Sequence, residues 1–244
     1  MRFCLWLFAG LVCLSSAVVA ETLRIGFGSD KPPYIYEEER RGLEFDIVVE
    51  ASRRAGFAVQ PFFAPMERLH HMQSKGELDA IVTTNPNSGL KAFYSLPYIE
   101  YRNVAAALAS RRLKIEKISD LEKYSVSAFQ RARKLLGPEF EAMAEKNPNY
   151  REEAQQIARN RLLFGKRVDV IVGDRRIIEY FSGKVGDRVD VKQPLIWYEL
   201  FPPTPYHVAF RSDVVRQRFD RGLEALQKSG EYAAIEQRYR SPGQ

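Results

Sequence analysis

Residues 23–83 alternate between two hydrophobic periodicities, and that alternation decides the fold class. Residues 23–28 read as a short apolar strand ending in small residues. Pro32 and Pro33 then enforce a loop, because proline cannot donate to a central ladder. Phe45, Val48, Val49 and Ser52 share one helical face, and Gly56 stops that helix. Residues 58–63 return to a strand pattern. Pro65 opens a second helix with Leu69 and Met72 inward, Gly76 ends it, and residues 78–83 form a third strand. A β-α-β-α-β order favours a parallel sheet with right-handed crossovers.

Asn85-Pro86-Asn87-Ser88-Gly89 is a loop by composition. Residues 104–109 are extended and apolar, residues 111–117 are charged, and the chain is expected to cross to a second body there. A second α/β unit follows: a strand at 124–129 and helical patterning over 131–145, interrupted at Pro138. A helix at 152–164, a strand at 168–172, a helix at 175–181 ended by Gly183, and an extended piece at 189–196 complete it. Pro202-Pro203-Thr204-Pro205 marks a return linker. Residues 207–210 form a strand. Asp213 caps a helix whose inward face is Val215, Phe219, Leu223 and Leu226, and residues 232–239 form a closing helix. The expected architecture is α/β with two lobes. Residues 21–109 and 204–244 build lobe 1, and residues 110–203 are inserted as lobe 2. Such a topology places a cleft between the lobes, where ligands commonly bind.

The first twenty residues read as a removable secretory signal. Arg2 is basic, residues 3–12 are apolar apart from Gly10, and Ala17-Val18-Val19-Ala20 offers a small-residue cleavage point. Cys13 leaves a lipoprotein anchor as a minor alternative. Cys4 and Cys13 are the two cysteines of the chain, so the exported part has no disulfide and depends on its core for stability. The net charge is +6. It is scattered in pairs such as Arg53-Arg54, Arg111-Arg112 and Arg175-Arg176, which read as solvated surface rather than a nucleic-acid face. His70 and His71 are adjacent and point to different sides of a helix, so no metal site and no cofactor are expected. Gly26-Phe27-Gly28 lacks the third glycine and the helix that a phosphate loop needs. No nucleophile elbow is present.

Several short motifs stand in a fixed order along the chain. They are Leu23-Arg24-Ile25-Gly26, Pro32-Pro33-Tyr34 and Gly42-Leu43-Glu44-Phe45-Asp46-Ile47. Gly76-Glu77-Leu78-Asp79-Ala80-Ile81, Tyr94-Ser95-Leu96-Pro97-Tyr98, Gly165-Lys166-Arg167-Val168-Asp169 and Val172-Gly173-Asp174 follow. In this order and spacing they resemble the family-3 extracellular solute-binding proteins of the polar amino-acid ABC-transporter type, and the resemblance implies a type II periplasmic-binding-protein fold with a hinge and an interlobe cleft. It implies a periplasmic monomer that closes on a small polar solute and delivers it to a membrane permease of an ABC transporter. It also implies an aromatic ligand wall at Tyr34 and an ammonium-holding carboxylate at Asp174. The family's carboxylate-gripping arginine falls at Ser88 here, and its Gly-Thr pair in the second lobe is replaced by Gln130-Arg131.

Arg68, in the first turn after Pro65, and Arg131, at a strand-to-helix turn, are therefore the expected carboxylate grips, since a guanidinium binds a carboxylate by two parallel hydrogen bonds. A surface role or a lobe–lobe ion pair is the alternative for each. Asp174 alternatively caps the helix beginning at Arg175. Tyr34, Tyr98, Tyr101 and Phe129 are expected as walls, with core packing as the alternative for Tyr98. Thr83 and Thr84 offer hydroxyls or amides, and Asp30 is placed at the rim. Two other functions fit the same fold: a cyclohexadienyl-dehydratase-like enzyme recruiting Arg68, Arg131 and Glu67, and a sensory module acting through a receptor kinase.

Overall fold

The structure, a computed structural model, describes residues 20–186 and 189–240. The expected secretory signal, with Cys4 and Cys13, lies outside them. In chain order the elements are β1 (Glu21–Gly28), α1 (Leu43–Arg54), β2 (Phe57–Ala64), α2 (Met66–Ser74), β3 (Ala80–Thr84), β4 (Phe93–Tyr94), β5 (Ile99–Tyr101) and β6 (Asn103–Leu108). Then come β7 (Val126–Phe129), α3 (Ala132–Leu135), α4 (Pro138–Lys146), β8 (Tyr150–Glu153), α5 (Gln156–Phe164), β9 (Val170–Asp174) and α6 (Arg175–Ser182). The chain closes with β10 (Leu195–Tyr198), β11 (Thr204–Phe210), α7 (Asp213–Lys228) and α8 (Glu231–Arg238).

Two sheets carry the two lobes. The first runs β2-β1-β3-β11-β4, with β5 also on β11, and the second runs β10-β6-β9-β7-β8. β1 pairs in parallel with β2 and β3, as the opening alternation predicts. β11 returns from the far end of the chain to pair antiparallel with β3. The first lobe is thus built from both ends of the chain.

Each sheet is buried on both faces. Ile25, Phe27, Val82 and Phe210 pack under α1 and α7 with Phe219 and Leu223. Ile81 and Ala209 pack on the other side against Leu69 and Leu78 of the α2 region. α1 and α7 cross closely. A Cβ on Gly222 would sit 2.2 Å from the Ala51 carbonyl oxygen, so only glycine fits there. In the second sheet Val104, Ala106 and Leu108 face Leu163, Phe164 and Ile178, while Ala105 and Ala107 face Phe140 and Met143. This two-sided burial makes β6 a continuous apolar run rather than an alternating one.

Among the element assignments that differ from the sequence expectation, three bear on how the two sheets are joined and extended. The chain crosses between the sheets at Arg102, between β5 and β6, rather than in the charged stretch 111–117. The reason is that β6 is a central strand of the second sheet, between β10 and β9. β8 replaces the start of the helix expected from residue 152, since Tyr150–Glu153 continues the sheet as a polar edge strand beside β7. β11 begins at Thr204, inside the proline-rich linker; Pro205 is tolerated opposite Glu100 near its start. At the two crossings the Asn103 side-chain amide donates to Thr204 Oγ1 at 3.0 Å.

Candidate functional site

Between the lobes lies a cavity of about 530 Å³, part of it continuous with solvent. Its walls come from the carboxyl ends of parallel strands or the loops after them: Gly28 at the end of β1 and Lys31 beyond it, Thr83 on β3, Phe129 on β7 and Asp174 on β9. Ligands of open α/β sheets bind at such ends.

The first-lobe wall is organised by Glu44, fully buried in the first turn of α1. Its carboxylate accepts from Lys31 Nζ at 3.1 Å, from Tyr101 OH at 2.5 Å, and from the Tyr98 and Thr83 hydroxyls. Lys31 Nζ also donates to Thr83 Oγ1 at 2.6 Å. An ammonium has three donors, and two are used. Burial pushes the Lys31 pKa down, opposed by the charge of Glu44. Burial and the Glu44 charge push the Tyr98 and Tyr101 hydroxyls well above their ordinary value, so both stay protonated and donate. Thr83 adopts φ 54°, a left-handed conformation rare for a β-branched residue. The Tyr98 hydroxyl accepts its backbone amide at 2.9 Å.

The second-lobe wall holds Arg159, on α5. It is 1 % exposed and lines the cavity. Its Nη2 donates to Gln156 Oε1, whereas Nε and Nη1 have no acceptor among the described residues. The guanidinium lies 6.0 Å from the Phe129 ring and rests on Gly173, where a Cβ would come within 3.0 Å of it. Burial lowers its pKa to about 10, with Asp174 and Glu153 opposing, so it remains charged at neutral pH. Asp174 caps α6, its Oδ1 accepting from the Arg176 and Ile177 amides at 3.0 and 3.3 Å. Its Oδ2 accepts from Tyr34 OH at 3.1 Å and from the Arg102 amide at 3.0 Å. Burial raises its pKa to about 6 against those hydrogen bonds.

The residues singled out from sequence divide into three groups. Thr83, Phe129, Gln130 and Asp174 line the cavity, together with Tyr101. Tyr34 and Tyr98 support it from behind: Tyr34 stacks on Tyr101 at 4.0 Å, and Tyr98 is core. Arg68, Thr84, Ser88 and Arg131 stand outside it. Arg68 is exposed, 5.8 Å from the Phe62 ring, because it lies off the helical face formed by Leu69, Met72 and Gln73. Thr84 is buried on β3. The Ser88 hydroxyl shares a 2.9 Å bond with Tyr94 OH. Arg131, at φ 70°, reaches back to the first lobe: Nη1 donates to Glu67 Oε2 at 2.9 Å and Nη2 to the Ser88 carbonyl at 2.7 Å. Beside it the Glu67 amide donates to Gln130 Oε1 at 2.9 Å. Arg131 therefore forms the lobe–lobe ion pair that was its alternative reading.

Lys31, Glu44 and Arg159 were not singled out. Arg159 carried a legible signal: it falls four residues before Leu163, in phase with the buried side of its helix. Lys31 had a weaker one, its place in the loop after the first strand.

No curated protein matches the chain. Solved structures do. An ancestral arginine-binding protein bound to arginine is 18 % identical with a TM-score of 0.74, covering 90 % of this chain and 98 % of its own. The arginine-, lysine-, histidine-binding protein ArtJ from Geobacillus stearothermophilus is 16 % identical with a TM-score of 0.73, covering 91 % and 97 %. An ancestral amino acid-binding protein, a precursor of cyclohexadienyl dehydratase, is 19 % identical with a TM-score of 0.68, covering 90 % and 96 %. At these identities the likeness is one of fold. Residues 23–242 match the family itself, and the chain belongs to the bacterial extracellular solute-binding proteins, family 3.

Proposed function

We propose that this protein is an exported, non-catalytic receptor that closes its lobes on a small carboxylate-bearing solute and presents the closed form to a membrane permease. One observation carries the reading: a fully buried, charged arginine lines the interlobe cavity with two nitrogens that have no protein acceptor among the described residues. Each unsatisfied buried donor costs about 1–3 kcal/mol, and more when it belongs to a charged group. A ligand carboxylate can satisfy one of these donors with a charge-assisted bond and take a second, parallel one from the remaining Nη2 hydrogen, since Nε and Nη1 lie on different edges of the guanidinium. Lys31 offers its third donor from the opposite lobe. Only contacts made to both lobes favour the closed form over the open one, and this pair supplies them. The dehydratase-like alternative gains no support from Glu67, which is exposed and paired with Arg131.

Arg159→Met tests the assignment. Replacing a buried charge by an apolar side chain of similar length is neutral or stabilising in the empty protein. The variant should melt no lower than the parent without ligand, yet bind the solute at least ~100-fold more weakly, a loss of about 2.7 kcal/mol. Titration calorimetry reads the affinity, after a thermal-shift screen of small carboxylates. Retained affinity in a folded Arg159→Met protein would remove this reading.

A further inference from the structure

The proposed carboxylate site also indicates what else the solute carries, and the geometry points to a carboxylate without a neighbouring ammonium: a simple, hydroxy- or oxo-acid rather than an amino acid. This rests on the receptor reading above.

The first observation is the state of Asp174. It is the only carboxylate among the residues lining the cavity. A carboxylate has about four acceptor sites. Asp174 receives four donors from the protein itself: the amides of Arg102, Arg176 and Ile177 and the hydroxyl of Tyr34. A ligand ammonium would have to displace one of them. Displacing the amides would uncap α6 or break the pairing of Arg102 at the crossing.

The second observation is the sign of what remains. Lys31 and Arg159 both line the cavity and both retain unused donors. The acceptor oxygens of Gln130 and Gln156 each already take one donor, the Glu67 amide and Arg159, and carry no net charge. Thr83 Oγ1 accepts from Lys31 and donates to Glu44. Glu44 does not line the cavity, and it has four donors of its own. The first turns of α2 and α5 add positive helix ends through Met66 and Gln156. A small solute held here meets the cations of both lobes, with the Asn103 side-chain oxygen and the Ser29 and Tyr206 hydroxyls as neutral groups beside them. An ammonium on its α-carbon would be brought beside Lys31 or Arg159, with no free side-chain carboxylate to offset the repulsion.

Matched pairs that differ in the amino group separate the alternatives: glycine and glycolate, L-alanine with lactate and pyruvate, L-glutamate and 2-oxoglutarate. Calorimetry on the whole exported chain is expected to show the acid lacking nitrogen binding at least tenfold more tightly in any pair that binds. Equal or tighter binding of the amino acid would overturn the inference. If that amino acid still required Arg159, the receptor reading would stand alone; if no carboxylate bound, both would fall. Lys31→Met should reduce the preference at least fivefold. Because this variant leaves Glu44 without its cation, Lys31→Met/Glu44→Gln is measured beside it. An unchanged preference in that folded double variant would also overturn the inference.

Discussion

His70 shows how one buried side chain sets the response to acid. It lies on the inward side of α2, and burial, with Arg131 nearby, lowers its pKa to about 3. The unfolded chain binds this proton near pH 6.5 and the folded chain does not. Stability from this group is therefore present above pH 6.5 and lost as pH falls towards 3, to the extent of about 4 kcal/mol. Asp174 acts with the opposite sign: its raised pKa gives stability that fades as pH rises from about 4 through about 6. His70→Leu should remove the first effect and leave the second. The melting temperature of the variant should drop less between pH 6.5 and 4 than that of the parent; parallel curves would contradict this. The same scale shows what sequence discloses of a site. Thr83, Phe129, Gln130 and Asp174 were legible because strand ends are legible. Arg68 and Arg131 were misplaced because a side chain's reach depends on helical phase and on a left-handed turn, neither of which composition reveals.

At the scale of elements, the strands and helices follow from hydrophobic period wherever one or two faces are buried. β8 escaped because an edge strand with Arg151, Glu152 and Glu153 has no apolar face to announce it. β6 was recognised as a strand but given to the wrong sheet, since period states burial and not partnership. Packing of α1 against α7 gives a direct test. Gly222→Ala would drive a methyl into the Ala51 carbonyl, so the helices must separate. We expect a loss of about 1–3 kcal/mol in urea unfolding, the range for overpacked cores. Affinity for the solute should be unchanged, because the contact is remote from the cavity. An unaltered midpoint would show that the helices separate at no cost.

On the receptor reading proposed above, the balance between open and closed forms of the whole molecule is set by solute contacts and by direct lobe–lobe bonds. Arg131 to Glu67 and Ser88, the Glu67 amide to Gln130, and Asn85 to the Leu135 carbonyl hold one side of the cleft. Tyr34 to Asp174 holds another. Arg131→Ala removes two of these and should favour the open form. Small-angle scattering of the empty variant should give a larger radius of gyration than the parent. Saturating solute should restore compactness, with an affinity up to tenfold weaker. Identical scattering without solute would mean that Arg131 does not hold the lobes.

The bond between Asn103 and Thr204 joins the two crossings where they pass side by side. Two separate tethers would let one body swivel, slide and tilt relative to the other. Two tethers sewn together act as a ribbon, which bends easily about one axis and resists shear and torsion. Bending about one axis is the motion this contact opposes least. In the closure proposed above, Arg159 would travel a fixed arc towards Lys31, and the two halves would meet in the same register each time.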